Sequence, residues 1–246
     1  MRHSLAVFLL VTLTACSSTP DELSNRSAEE LYNEAKSALQ NSSYEGALRD
    51  FKTLQSRFPY SRYAQQAQLE IAYVHFKRNA PDATISAANR FIQQYPKNSH
   101  VDYAFYLKGL ANFNADIGMF GEAFGQDPTE RDPKAAQDSF ESFKDLISRF
   151  PNSKYAPDSR LRMQYLINAL ASYEIHVASY YLRRNAFISA INRANNVLTQ
   201  FPNSTASKDA LMILVQGYGA LGMTALRTDS QRVLNLNFPR PATTTQ

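Results

Sequence analysis

The 246 residues carry 26 Lys and Arg against 22 Asp and Glu, 44% hydrophobic side chains, 8 Gly, 11 Pro, one Cys and no Trp. That length can bury a core as one or two domains, and a composition rich in helix formers and poor in Gly does not suit a β-sandwich or barrel. The net charge of +4 is scattered rather than gathered into runs, which argues against a nucleic-acid-binding surface.

The chain begins with the basic Met1-Arg2-His3, an apolar run from Leu5 to Leu13, and Thr14-Ala15-Cys16. This is the layout of a secretory signal, and the run is too short to span a bilayer. Leu13-Thr14-Ala15-Cys16 also resembles the bacterial lipobox, in which the Cys is acylated and becomes the new N-terminus. Ser17, not Asp, follows Cys16, which in such lipoproteins points to the outer membrane, on its periplasmic face. The expected covalent lipid on Cys16 is an N-acyl chain and an S-diacylglycerol. Each buried CH₂ contributes about 0.8 kcal/mol, so such an anchor is firm. Apart from that lipid no cofactor is expected. Removing residues 1–15 leaves 25 basic and 22 acidic residues, a net +3, and with Cys16 acylated no thiol remains for a disulfide. Residues 16–26 are polar and aperiodic, a lipidated tether.

The remainder is cut into units by near-copies of one stretch: Arg57-Phe58-Pro59-Tyr60-Ser61, Gln94-Tyr95-Pro96-Lys97-Asn98-Ser99, Arg149-Phe150-Pro151-Asn152-Ser153, Gln200-Phe201-Pro202-Asn203-Ser204 and Asn237-Phe238-Pro239. Successive prolines lie 37, 55, 51 and 37 residues apart, a 37-residue period with 18 and 14 extra residues in the two middle units. Proline has no N–H and drives the preceding residue out of the α region, so a helix must stop at each Phe or Tyr. The following Ser can cap the next helix. Each copy reads as helix stop, aromatic plug, helix start.

In the first unit Ser27-Ala28-Glu29-Glu30 is a capping box opening a helix to Gln40, and Ser42 with Glu45 opens a second that ends at Phe58. Counting back from Pro59 places Ala35, Ala47 and Phe51 on the small and aromatic positions of the tetratricopeptide repeat, which this unit resembles. The same offset gives Ala72 in the second unit and Gly109 in the third, whereas the fourth and fifth carry Gln164 and Val215. The third unit is interrupted after Ala115 by an insertion with Phe120 and Phe124 among glycines, expected to pack its aromatics onto the helices. Asp132-Pro133 then restarts a helix as N-cap and first helical residue. A long helix is predicted from Pro157 to Arg184, with Met163, Leu166, Ile167, Leu170, Val177 and Tyr181 on one stripe and its end projecting beyond the stack. The next helix buries Phe187, Ile191, Ala194 and Leu198, and Arg193, about 130° from that stripe, should be exposed. Gly222 makes the turn of the last unit. The fold class expected is therefore all-α, a superhelical stack of five tetratricopeptide-like helix hairpins forming an α-solenoid. Repeats 1 and 2 occupy 27–98, repeats 3 to 5 with their insertions 99–238, and a disordered tail 239–246.

No catalytic or metal-binding pattern is visible: His3, His75, His100 and His176 have no ligand spacing, and there is no phosphate loop, nucleophile elbow or zinc-protease motif. The chain is not expected to be an enzyme, and His75 and His176 read as packing or surface residues. What remains is surface. The concave face of such a stack is lined by first helices and binds extended peptides. Its candidate groove positions are Tyr32, Lys36 and Leu39, then Leu69, Tyr73 and Phe76, then Tyr103, Tyr106, Leu110 and Phe113.

Lipobox, tether and repeats, together with Arg131-Asp132-Pro133, Phe140, Phe143, Pro151-Asn152-Ser153, Tyr155, Tyr173-Glu174, Tyr180-Tyr181 and Asn192-Arg193, resemble the BamD family of outer-membrane assembly lipoproteins. The resemblance implies a non-enzymatic scaffold of the machinery that inserts β-barrel proteins. Its partners would be the POTRA domain of a BamA-like barrel subunit, bound by the C-terminal repeats, and BamC-like and BamE-like lipoproteins. Unfolded outer-membrane protein clients would be met by the N-terminal repeats. Arg193 matches the family arginine that pairs with an acidic POTRA residue. The alternative is a tetratricopeptide lipoprotein organising peptidoglycan or other envelope enzymes, which would share the anchor and repeats but not the insertions and the Arg131-Asp132-Pro133 turn.

Overall fold

The structure, a computed structural model, describes residues 26–117 and 133–239. The expected signal peptide, Cys16 and most of its tether, the aromatic insertion and the tail from residue 240 lie outside the described residues. Ten helices follow one another with no strand among the described residues: α1 (Ala28–Gln40), α2 (Tyr44–Arg57), α3 (Arg62–Lys77), α4 (Pro81–Gln94), α5 (Val101–Ile117), α6 (Lys134–Arg149), α7 (Ala156–Arg183), α8 (Phe187–Gln200), α9 (Ser207–Ala220) and α10 (Thr224–Asn237). Each packs on the next, and first helices of neighbouring repeats also pack together in the pairs α1–α3, α3–α5 and α7–α9. The result is the expected all-α solenoid of five hairpins.

Two kinds of turn build it. At the repeat boundaries Phe58, Tyr95, Phe150, Phe201 and Phe238 all adopt φ between −128° and −132°, so every helix stops where the next residue is proline. Within hairpins, Ser42, Asn79, Asn185 and Gly222 adopt positive φ. In each case the N–H of that residue and the next donate back to carbonyls three and five positions earlier, as in Asn79 to Phe76 and Ala80 to His75, which is a Schellman end. Asn79 lies 37 residues after Ser42 and Gly222 lies 37 after Asn185, so these turns keep the period too.

The capping expectations hold in part. Ser27 and Glu30 form the reciprocal capping box, and Ser61 Oγ accepts from the Ala64 N–H. Ser42, however, is a left-handed turn residue, and Ser43 precedes α2. Ser153 and Ser204 lie too far ahead of α7 and α9, whose N-caps are Tyr155 and Ala206. Helix α6 begins at Lys134 with Pro133 as its N-cap, one residue later than expected.

The small positions do their expected work. Ala35, Ala47 and Ala72 are fully buried, and Phe143 Cε1 sits 2.4 Å from where a Cβ on Gly109 would stand. In the fourth repeat, Gln164 is exposed and is not the small position. Because α7 has 28 residues where α9 has 14, a count from the proline is out of register, whereas a count from Asn185 reaches the fully buried Ala178.

Helix α7 corrects a second expectation. At about 1.5 Å per residue it is roughly 42 Å long, but its end does not project. Leu166 and Leu170 join Phe113 and Phe143 in one core, while Ala171 and Ala178 join Ala190, Ile191, Val197 and Ile213 in another. The extra turns bridge the two cores. A third core runs through repeats 1 to 3 and ends at Leu146 and Ala156.

Candidate functional site

The first helices α1, α3 and α5 bring part of the expected groove together. A pocket of about 250 Å³ is lined by Tyr32, Leu69 and Tyr103, with Glu70, Lys154 and Tyr155 also in its wall. Glu70 accepts hydrogen bonds from Tyr32 Oη (3.2 Å) and Lys36 Nζ (2.8 Å), so the carboxylate is neutralised on the spot. Tyr32 stacks obliquely on Tyr63 and Phe51, and Tyr155 lies 5.2 Å from Tyr103 and 4.7 Å from Tyr106 between ring centres. Such offset aromatic pairs are worth about 0.5–1.5 kcal/mol each beyond their buried area.

Not every groove candidate faces the groove. Leu39 and Phe113 are each 7% exposed, and Phe113 belongs to the core with Phe143, whereas Leu69, at 8%, is buried and still lines the pocket. Tyr32, Lys36, Tyr73, Phe76, Tyr103, Tyr106 and Leu110 are half-buried. A helical stripe wide enough to cover a core also takes in the groove's edge, so spacing alone could not separate the two. Among the half-buried rings, Tyr73 and Phe76 pack against the core of repeats 1 to 3, while Tyr32 and Tyr103 reach the pocket.

The tyrosines are held neutral. Burial first, and then the bond to Glu70, pushes Tyr32 above the usual phenol range, and burial does the same for Tyr103. Tyr106 is pushed up to about 12 by burial and by donating to Asp158 Oδ2 at 2.7 Å. Burial works to raise Asp158, but its bonds from Arg162 and Tyr106 outweigh that and leave the carboxyl below its ordinary range. Arg162 Nε lies 2.6 Å from Asp158, and its guanidinium lies 4.7 Å from the centre of the Phe113 ring.

Sequence reasoning missed Glu70, Tyr155 and Asp158. The usable signal was separation by about one repeat: Lys36 to Glu70 spans 34 residues, Asp102 to Ser153 51 and Tyr106 to Asp158 52, each within a turn of the local repeat length.

Arg193 is half-buried rather than open. Its Nη1 donates to both carboxylate oxygens of Glu174 on α7 at 3.1 Å, with 43% of the Arg193 side chain and 13% of the Glu174 side chain exposed. The angle from the α8 stripe was right, but it pointed at α7, where Glu174 stands. That pair uses one nitrogen, and the Nε/Nη2 edge remains for a second acceptor.

A further surface was not foreseen. Twelve, five and two residues before the boundary aromatic, repeats 1 to 4 carry Gly46, Thr53, Ser56; Ala83, Arg90, Gln93; Asp138, Asp145, Ser148; and Ser189, Asn196, Thr199. The last repeat carries Leu226, Val233 and Leu236 instead, 46%, 37% and 71% exposed. Aligning the repeats on their aromatics would have found this stripe.

His75 Nδ1 is buried with no hydrogen-bond partner, which suits a packing residue, and the described residues hold no cluster of three metal-ligating side chains. No helix among them is long and apolar enough to cross a membrane. Fold and surfaces together define a helical-repeat scaffold with an aromatic groove at one end and a charged and apolar face at the other.

A family model described as YfiO, outer membrane lipoprotein, matches residues 24–234. The chain is 40% identical over 242 residues to the outer membrane protein assembly factor BamD of Neisseria meningitidis Z2491, covering 96% of this chain and 91% of that protein. It is 35% identical to BamD of Xylella fastidiosa Temecula1 (96% and 80% covered) and 34% identical to BamD of Vibrio cholerae (93% and 95% covered). This chain belongs to the YfiO/BamD family of outer-membrane lipoproteins, and like the assembly factors of that name it is a scaffold and not an enzyme.

Proposed function

We propose that the protein is a lipid-anchored scaffold of the β-barrel assembly machinery, holding a client segment and the barrel subunit at a fixed separation. The observation that carries this is the match to assembly factors along nearly the whole chain. Acylated Cys16 confines the body to the inner surface of the outer membrane and so raises the effective concentration of partners tethered there. The tyrosine pocket at α1, α3 and α5 takes side chains of an extended client segment, since its walls offer ring faces, a neutralised carboxylate and the Lys154 ammonium. The face around Arg193 receives an acidic residue of the POTRA domain of a BamA-like subunit on the free guanidinium edge. The α10 stripe of Leu226, Val233 and Leu236 offers further apolar area in the last repeat, and BamC-like and BamE-like lipoproteins bind elsewhere on the body.

Co-purification through a tagged barrel subunit tests the partner face. Arg193→Ala combined with Leu236→Glu is expected to lower recovery of this protein with the subunit, and recovery equal to wild type would overturn the assignment of that face. Photo-crosslinkers at Tyr32 and Tyr103 are expected to capture unfolded barrel clients, and capture at exposed α4 positions such as Gln93 but not at these would overturn the groove.

A further inference from the structure

Consecutive helices run antiparallel, so the start of every first helix and the end of every second helix lie along one edge of the stack, and the hairpin turns lie along the other. Side-chain contacts tie the first edge into a row. The Tyr32 and Tyr63 rings stand 5.5 Å apart between centres, Asn98 Nδ2 donates to Gln65 Oε1 at 3.3 Å, and Ser153 Oγ donates to Asp102 Oδ2 at 2.6 Å. From two residues before the boundary aromatic to six after it, the first three boundaries hold Arg57, Arg62, Lys97, Arg149 and Lys154 and no Asp or Glu; the fourth holds no charge. All of these cations but the half-buried Arg57 are exposed. Of the acidic groups behind them, Glu30 is held by Ser27, Asp102 by Ser153, and Asp158 by Tyr106 and Arg162, while Glu29 is exposed. The hairpin turns of repeats 1 and 2 differ. There Lys77 and Arg78 are matched by Glu45 and Asp82, and Arg78 is bridged to Glu45. The basic character belongs to one edge and, along it, to repeats 1 to 3.

Tyr60 is an independent observation on the same edge. The place after the boundary proline is Lys97, Asn152 and Asn203 in later repeats but Tyr60 in the first, where the side chain stands 99% exposed between Arg57 and Arg62. Tyrosine joins an apolar ring to a polar tip, which is why it is enriched where a membrane meets water. The position in the chain is a further one. Ten residues, 17–26, separate Cys16 from the capping Ser27 and can span at most about 35 Å. With Cys16 acylated, the start of α1 cannot stand farther than that from the bilayer.

We infer that the boundary-turn edge of repeats 1 to 3 rests on an anionic phospholipid surface, with Arg57, Arg62, Lys97, Arg149 and Lys154 over the headgroups and Tyr60 in the interface. That this surface is the membrane holding the anchor rests on the acylation of Cys16 proposed above; the affinity of the edge for anionic lipid does not. The tether makes even a weak attraction count, because the encounter is then intramolecular. The tyrosine pocket shares Asn98, His100 and Lys154 with this edge, so docking brings the pocket to the lipid surface.

Vesicle flotation of the full chain after residue 15, carrying Cys16→Ser, measures this affinity without the anchor. Binding is expected to vesicles of phosphatidylglycerol and phosphatidylcholine in equal parts, weakening as salt is added, and not to phosphatidylcholine alone. The combined variant Arg62→Gln, Lys97→Gln and Lys154→Gln is expected to lower binding on the order of 100-fold, and Tyr60→Ser to lower it with no change of charge. The control Lys77→Gln, Arg183→Gln and Arg184→Gln removes the same charge from exposed positions on the hairpin-turn edge and is expected to keep binding. Equal loss in both triple variants would overturn the proposal, because net charge alone would then be read, and so would equal binding to neutral vesicles. A fluorophore on Asn152→Cys at the basic edge is expected to be quenched by nitroxide-bearing lipid, and one on Asn41→Cys at the opposite edge to be spared; equal or reversed quenching would overturn the orientation. Should the first triple variant lose its helical circular dichroism, Tyr60→Ser and the quenching pair decide the matter. The measurement needs neither acylation nor a protein partner, so its failure leaves the anchor and the scaffold role standing.

Discussion

Single side chains set the spacing of this molecule. The Phe143 ring sits against Gly109, where a methyl group would collide with it, so Gly109→Ala must push the ring and α6 away. Overpacking of this kind destabilises by about 1–3 kcal/mol, more than the up to about 1 kcal/mol that alanine gains over glycine inside a helix. A lowered midpoint in urea without loss of helical circular dichroism would verify it. Arg193 teaches a different lesson. Because Glu174 is only 13% exposed beside it, Arg193→Glu would set two carboxylates together, and lost partner binding in that variant would mix misfolding with lost recognition. The swap Arg193→Glu with Glu174→Arg is expected to recover the thermal midpoint lost by Arg193→Glu alone, while leaving a carboxylate on α8. Continued loss of partner binding in the swapped variant would then report recognition.

The hydrogen-bonded cluster of Tyr106, Asp158 and Arg162 also makes a pH prediction. Asp158 titrates below its ordinary range in the folded chain, so its contribution to stability is present above about pH 4, the unfolded carboxylate value, and is lost as pH falls through the folded value. Tyr106 is raised to about 12, so its contribution is complete below about pH 10 and disappears as pH rises from there towards 12. Asp158→Asn should flatten the acid limb of a stability profile and Tyr106→Phe the alkaline limb; an unaltered profile in either would contradict the assigned bonds.

Elements were legible where the sequence contains a residue with one backbone habit. Each boundary proline forced a stop at the aromatic before it, and all five helices end there with nearly one set of angles. The hairpin turns were mostly hidden, because Ser42, Asn79 and Asn185 take the left-handed conformation by context and only Gly222 announces it. Nothing lies within 4 Å of a Cβ built on Gly222, so Gly222→Ala isolates the backbone effect and should destabilise by about 1–2 kcal/mol. Ser42→Gly, which relieves the same conformation, should be neutral or stabilising when compared by chemical denaturation. The length of α7 was also visible, but not where its extra turns would go. A proline marks the end of a repeat and not the position of an insertion, so Gln164 took the place of Ala178 in the count. Within the groove, Tyr32 and Tyr103 could be reached by spacing, whereas Glu70 and Asp158 depend on how one repeat is rotated on the next, which small packing differences decide.

At the scale of the whole molecule, a solenoid joins its parts through nearest neighbours only, so a surface at one end reaches a surface at the other through the elements between. Here that element is α7, whose N-cap Tyr155 lines the tyrosine pocket and whose later turns hold Arg193 through Glu174. The polar groove and the charged, apolar C-terminal face suit a body that holds other chains, and the family to which it belongs consists of outer-membrane lipoproteins. The most direct test of the scaffold role is depletion of the protein in growing cells while folded outer-membrane porins and newly incorporated peptidoglycan are measured together. Early loss of folded porins with peptidoglycan incorporation still normal is the predicted result. Normal porin levels alongside defective peptidoglycan would contradict it and favour an organiser of cell-wall enzymes.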